Sequence, residues 1–391
     1  MDRKLFRSTW LHIVLHSIIG IVLSILLWST GLLQGIESKT FDFRSLHAAR
    51  QSPAAESIVL VYVDQESLNW VADNMGIVWP WPRELFGAII SNCGRRGARA
   101  IGFDILFTES SASGVYDDKA LAQAIRDGSP FALGSVFPTN KPAPYSNWPA
   151  DIPLPRFKVQ QHANLSFLPS YRNATFPIDV IGSAADVLAN VNQHPDEDGI
   201  YRRINPFVLF DGKLLPNLGI ALYLAAHPRA EVTLGPDGIT VDGYVIPVDP
   251  TGASILNYRG PSGTYTLLNA ASLIRKEFRL RNGESETDGA IQDLTGKYVL
   301  FGYTAPGLFD LRPTPTDGIF SGVEINATAL DNLLSHDFIH PVSITWTFMT
   351  IVVLTFGSVF LVSILPSFRS RISTALLILL LPMALSWFLY Q

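Results

Sequence analysis

The chain has 391 residues, enough for two average domains or one large one, of which 48% are hydrophobic and only 16% charged. So little charge points to membrane segments, and a net charge of −5 argues against nucleic acid as a partner, because no basic block is present to neutralise phosphates. The single cysteine, Cys93, excludes an intrachain disulfide and a cysteine-based zinc site, and it reads as a small buried residue at a helix end.

Residues 1–10 carry Arg3, Lys4 and Arg7 against Asp2 and are predicted to be cytoplasmic. Residues 11–33 are apolar apart from His12, His16 and a few Ser and Thr, and about 20 apolar residues cross a bilayer as a helix. No small-x-small cleavage site follows, so a retained anchor is preferred to a cleaved signal peptide. His12 and His16, one turn apart, read as interfacial polar residues. Residues 34–341 form a body with mixed charges and recurrent turn signals. Residues 342–365 are a second spanning run, 366–371 a basic turn without an acid, and 372–390 a third span. The excess of Lys and Arg places 1–10 and 366–371 in the cytoplasm, so the body is expected outside it. The chain ends directly after the third span, which fits a stand-alone tethered domain or a part of something longer.

Within the body, residues 34–49 are predicted to continue the first helix until Ser52-Pro53 breaks it. The apolar strand Ile58–Val63 ends on Asp64. A turn follows, Trp79-Pro80-Trp81-Pro82-Arg83, with Pro82 suited to a first helical position. Leu85, Phe86, Ile89 and Ile90 recur at helical spacing, and Gly94 ends that helix. A second apolar run, 100–103, ends on Asp104, which completes a βαβ pattern. Asp117 and Asp118 are expected to cap a helix over 119–126. A strand is read at 131–136, and 137–160 reads as an exposed excursion, a lid or a packing arm.

Farther on, strands at 187–191 and 200–209 flank the turn cluster from His194 to Gly199. A calcium loop there would start on His194 and place Asn205 where a bidentate Glu is needed, so a tight turn is expected. Arg202 and Arg203 read as ordinary strand-face charges. Helices are predicted over 216–226, 270–279 and 324–334, hairpins within 232–249, and strands at 255–258 and 298–303. Asn164, Asn173 and Asn326 open Asn-x-Ser/Thr triplets, which matter only in a glycosylating pathway.

Three strands thus end in polar groups: Asp64, Asp104 and the segment from Thr304 to Asp310. Ligands of open α/β sheets bind beyond the carboxyl ends of the strands. If the strands are neighbours, Asp64, Asp104 and Asp310 face one crevice, and Arg83 meets them. A ligand amine, a bound cation or a carboxylate–arginine cluster would each fit, and the plainer reading is a structural ion pair that fixes the Trp-Pro turn against the sheet. No His-Glu-x-x-His, no Gly-x-Ser-x-Gly and no phosphate-cradling glycine loop is present, so no catalytic residue, metal ligand or cofactor is assigned.

Several stretches resemble the second class of CHASE sensory domains. They are Phe41-Asp42-Phe43-Arg44, the strand before Asp64, the Trp-Pro run, and Gly102-Phe103-Asp104-Ile105-Leu106-Phe107. Asp196-Glu197-Asp198-Gly199 with Arg202-Arg203, Phe301-Gly302-Tyr303-Thr304-Ala305, Asp310, Pro315 and Gly322-Val323-Glu324 complete the match in order. The resemblance implies a bacterial extracytoplasmic α/β sensor, a mixed sheet with flanking helices, tethered by transmembrane helices. It implies a multi-pass protein of the inner (plasma) membrane, with the sensor domain in the periplasm or outside. It also implies a homodimer that answers an unknown small-molecule or protein stimulus. In that family three spans usually follow the body and lead to a cyclase, phosphodiesterase or kinase. Only two follow here, as expected of a chain cut before its third span and output. The rival expectations are a scaffolding membrane protein and an envelope enzyme with an acidic metal site.

Overall fold

The apolar runs that end on Asp64 and Asp104 belong to one sheet but are not neighbours. The computed structural model describes residues 3–155, 157–161, 165–235, 238–284, 292–305, 307–308, 311–365, 367, 369–370 and 373–374. Among them six strands run parallel: β1 (Ile58–Val63), β2 (Ala100–Asp104), β3 (Phe131–Thr139), β4 (Val187–Asn190), β5 (Thr266–Asn269) and β6 (Tyr298–Tyr303). Their order is β5-β1-β6-β2-β3-β4. A short antiparallel strand, Asn173–Thr175, pairs with the end of β3 and makes the sheet mixed, as expected. β6 comes last in the chain yet lies between β1 and β2, with Phe301 in register with both Val61 and Phe103.

The strands read as unbroken apolar runs because both faces of the sheet are covered. Side chains of a strand point alternately to opposite faces. Ile58, Leu60 and Tyr62 of β1 accordingly enter one core, and Val59, Val61 and Val63 the other. The first core is closed by the helices Leu218–Ala226 and Gly322–Ser335. Leu218–Ala226 is apolar nearly all round, as a helix buried on every side must be. It meets its neighbour backbone to backbone: a Cβ on Gly219 would stand 2.2 Å from the carbonyl oxygen of Asn326. The second core is closed by Gln65–Met75, Arg83–Arg95, Val115–Asp127 and Ala270–Arg281.

The Trp-Pro turn seals the second core. Its Trp79–Pro80 peptide is cis. The Trp79 ring meets Trp81 at 5.7 Å and Tyr303 at 5.3 Å, and Phe86 beneath them contacts Phe107 and Phe301. Full burial of a phenylalanine ring such as Phe86, Phe107 or Phe301 stabilises the fold by roughly 1.5–3 kcal/mol. Pro82 is the residue before the helix rather than its first residue, and its side chain offers no cap. Asp117 supplies the acceptors instead, taking the N–H groups of Arg83 at 2.7 Å and Glu84 at 2.8 Å. The expectation that Asp117 caps its own helix is therefore corrected: that helix already starts at Val115.

Other local readings are sharpened. The excursion after β3 is a packing arm: Tyr145 pairs with Ala174 through the backbone, and Tyr145 and Trp148 enclose Phe176. The Asp242-Gly243 turn joins Gly238–Val241 to Tyr244–Ile246 with φ +47° and +84°, the positive values a two-residue hairpin turn demands. Gly199 closes the turn after Asp198 at φ +84°. Arg202 is not a strand-face charge: it is buried and held by Asp196 at 3.0 Å and by both oxygens of Asp198 at 2.8 Å. Asn326 is buried within a helix, out of reach of glycosylation. Asn164 lies outside the described residues.

Residues 1–49 and 341–391 form a unit separate from the body, 50–340. Its helices are Arg3–Ser29, Gln34–Ala48 and Ile344–Ile364. The first two are divided by a turn at Gly31, φ +69°, where a continuous helix was expected. Among the described residues Trp10–Ser29 and Ile344–Ile364 are long and apolar enough to cross a membrane. They pack on each other, with Trp10 5.9 Å from Phe360 and Gly20 against Thr355, where a Cβ would come within 2.7 Å. Small residues permit such close helix approach. His16 directs Nδ1 to the carbonyl oxygen of His12 at 2.6 Å. The predicted third span, 372–390, lies outside the described residues apart from 373–374.

Candidate functional site

β1 and β6 are adjacent and parallel, but the chain leaves them in opposite directions. After β1 it turns to the second face and forms Gln65–Met75; after β6 it returns on the first face as Gly322–Ser335. Such a divergence opens a crevice beyond the carboxyl ends of the strands. A cleft of about 520 Å³ lies there, lined by Tyr62, Asp64, Asn269, Thr304, Glu324 and the turn at Ser262 and Gly263.

Glu324 stands in the first turn of its helix, where the N-terminal partial charge favours an acid. It is only 1% exposed, so its oxygens need donors. The Tyr62 hydroxyl donates to Oε1 at 2.7 Å, the Ser262 hydroxyl to Oε1 at 2.8 Å, and the Gly263 N–H to Oε2 at 3.3 Å. Ser321 Oγ lies 2.7 Å from the Tyr62 hydroxyl. Burial pushes the carboxyl of Glu324 above the usual range, against the pull of these hydrogen bonds. Burial, reinforced by the Glu324 charge, holds the Tyr62 phenol well above its ordinary value. A carboxylate accepts about four hydrogen bonds, so Oε2 keeps room for a ligand donor.

Asp64 forms the opposite wall. Its Oδ1 caps Gln65–Met75 by accepting the Ser67 N–H at 2.7 Å. Asn269 donates from Nδ2 to both its oxygens, at 2.9 and 3.0 Å. The Oδ1 of Asn269 caps Ala270–Arg281 in turn through the Ser272 N–H. Two helix starts are thus tied together at the cleft.

The other predicted site residues go elsewhere. Arg83 does not line the cleft; its Nε is 3.4 Å from Asp118, its Nη2 donates to the Glu109 carbonyl, and its guanidinium covers the Phe107 ring at 4.5 Å. The acid it meets is Asp118, not Asp64 or Asp104 with which it was expected to share a crevice. Asp104 is separated from Asp64 by β6, two strand spacings or about 10 Å away. Its Oδ2 accepts from Asn326 at 3.1 Å; the Oδ1 of Asn326 in turn accepts from both Asn217 and Gln193, and Gln193 accepts from Arg312. Asp310 lies outside the described residues. Sequence reasoning missed Tyr62, Ser262, Asn269 and Glu324. The one available signal was an acid near the start of an otherwise apolar helix.

Glu324 shares its helix with a second buried acid, Asp331, two turns on. Ser52 donates to both Asp331 oxygens, and Arg259 Nε donates to Oδ1 at 2.7 Å. Arg259 Nη2 reaches Asp337 at 2.7 Å. The first and last segments of the body therefore meet at the buried Asp331–Arg259 pair.

A sequence-family model described as CHASE2 domain matches residues 18–365. Neither the curated proteins nor the solved structures yield a match.

Proposed function

The chain belongs to the CHASE2 domain family, a sensory family found in signalling proteins, and we propose that it is the input module of a membrane receptor. In this reading the two apolar helices cross the plasma membrane, the body lies outside the cytoplasm, and the protein works as a homodimer. The length and composition of Trp10–Ser29 and Ile344–Ile364 support the membrane crossing. The family is sensory and not catalytic, so the output belongs to a cytoplasmic domain, in a longer form of the chain or on a partner.

One observation carries the mechanism. The Gly322–Ser335 helix bears Glu324 in the cleft and Asp331 in the network that binds Ser52 to Arg259 and Asp337. A small molecule donating to Glu324 and Asp64 would bias the position of this helix. The Asp331 end would pass that bias to the two segments that continue into the apolar helices. A ligand shifts such an equilibrium only through unequal affinity for the two states. Arg83 and Asp104 serve the frame of the cleft in this reading.

The test is a metabolite screen on the full chain in nanodiscs, read by thermal unfolding. A compound that stabilises the protein, and loses at least tenfold in affinity with Glu324→Gln or Asp64→Asn, supports the cleft as the sensor site. Hits indifferent to both substitutions, or no hit at all, would favour the scaffolding role.

A further inference from the structure

A second cavity, of about 290 Å³, lies at the other end of the sheet, where β1, β6 and β2 begin. Its walls include Ser57, Arg99, Tyr223, His227, Tyr298 and His336. Three observations separate it from an ordinary surface hollow.

Arg99 forms no ion pair with a carboxylate among the described residues. Its Nη2 donates instead to Nε2 of His227 at 2.6 Å. His227 Nδ1 lies 2.8 Å from the Tyr223 carbonyl, which makes Nδ1 the protonated nitrogen and Nε2 the acceptor. A guanidinium has five N–H donors, and this contact uses one of them.

The Tyr298 hydroxyl is buried without a hydrogen-bond partner, beneath a ring that Arg99 covers at 5.5 Å. Leaving such a group unpaired is costly, because burial removes its water and nothing replaces it. Tyr223 offers no comparable spare donor, since its hydroxyl already donates to Asp242 at 3.0 Å. His336 completes the rim from a left-handed position, φ +57°, its ring stacked on Tyr244 at 4.5 Å.

The cavity thus gathers a cation without an acid, two imidazoles and an unpaired hydroxyl. We propose that it is an oxyanion site for a phosphoryl group, with Arg99 as the anchor, Tyr298 as a further donor and His227 holding the guanidinium in place. The planar fork of an arginine matches two oxygens of a phosphate. The volume suits a small group rather than a large metabolite. The phosphoryl group comes from free phosphate or from a lipid headgroup. The site is independent of the Glu324 cleft, which lies at the opposite strand ends.

The experiment uses the full chain in phosphatidylcholine nanodiscs and measures binding of radiolabelled inorganic phosphate by equilibrium dialysis. One saturable site is expected. Arg99→Ala should weaken it about tenfold or more, Tyr298→Phe by about threefold, and Glu324→Gln should leave it unchanged. Arg99 is exposed, so its removal leaves the fold intact. A second arm replaces a third of the lipid by phosphatidylglycerol and reads the melting temperature without phosphate. A rise in the wild type that Arg99→Ala abolishes assigns the headgroup as the source. If neither phosphate nor phosphatidylglycerol acts, or if Arg99→Ala responds like the wild type, the proposal is overturned.

Discussion

Ser52, the third residue of the body, donates its hydroxyl hydrogen to both oxygens of Asp331 at 2.8 Å, across 279 positions of sequence. Arg259 lies against the same carboxylate and continues to Asp337. The beginning and the end of the body are therefore stabilised together. Arg259→Ala would leave Asp331 as a buried charge without a cation, at a cost of about 3–5 kcal/mol. Urea unfolding of the full chain, followed by tryptophan fluorescence, measures it. Adding Asp331→Asn to Arg259→Ala should recover part of the loss, because the uncompensated charge goes with it.

Glu324 sets a pH dependence of opposite sign to that of a salt-bridged acid. Burial raises its folded pKa above the unfolded value of about 4.3, so the folded state binds the proton more tightly. Its contribution to stability is present in full below the unfolded value and is lost as pH rises through the raised folded value. Glu324→Gln should flatten the decline in stability with rising pH just above about 4.3. An unaltered slope in that variant would count against the assignment.

Tyr62→Phe removes one of the donors to this carboxylate while keeping the ring. The expected cost is about 1–3 kcal/mol, since hydrogen bonds to charged groups exceed neutral ones. Thermal or urea unfolding reads it.

The contact of Leu218–Ala226 with Gly322–Ser335 leaves no room for a methyl group. In Gly219→Ala the new Cβ would meet the Asn326 carbonyl and the Leu330 N–H, which are backbone and cannot rotate aside. Destabilisation at the upper end of roughly 1–3 kcal/mol or beyond is expected. Gly235→Ala, where nothing stands within 4 Å, is the control and should change stability by less than about 0.5 kcal/mol.

Asp117→Ala should cost about 1 kcal/mol, the usual loss of a helix cap, although the helix it caps is Arg83–Arg95 and not its own. Hydrogen exchange should rise at the Arg83 and Glu84 amides. Unchanged exchange at both would refute the cap.

The proposed topology can be read with cysteine chemistry. Cys93 is buried and burial pushes its thiol up to about 12, so it should stay silent toward a membrane-impermeant maleimide. Tyr116 is 87% exposed, and Tyr116→Cys should label in intact cells. Labelling only after lysis would place the body in the cytoplasm.

Much of this molecule was legible without coordinates because the governing signals are local. Ile58–Val63 and Tyr298–Tyr303 announced themselves as strands by their apolar runs. Asp242-Gly243 announced a turn through its need for positive φ. The two apolar terminal helices followed from length and composition. Asp64 was found because an acid at the end of an apolar strand is conspicuous, and it does face the cleft.

Strand order was not legible, and the site depended on it. Residues 298–303 insert between strands that precede them by about 200 positions, so the two strand-end aspartates never meet. The same insertion brings Glu324 to Tyr62 and leaves Asp104 to Asn326. Periodicity and turn chemistry act over a few residues and determine what each segment becomes. Which segments become neighbours is decided by the burial of two whole faces of a sheet at once, a global condition that no single stretch of this chain carries.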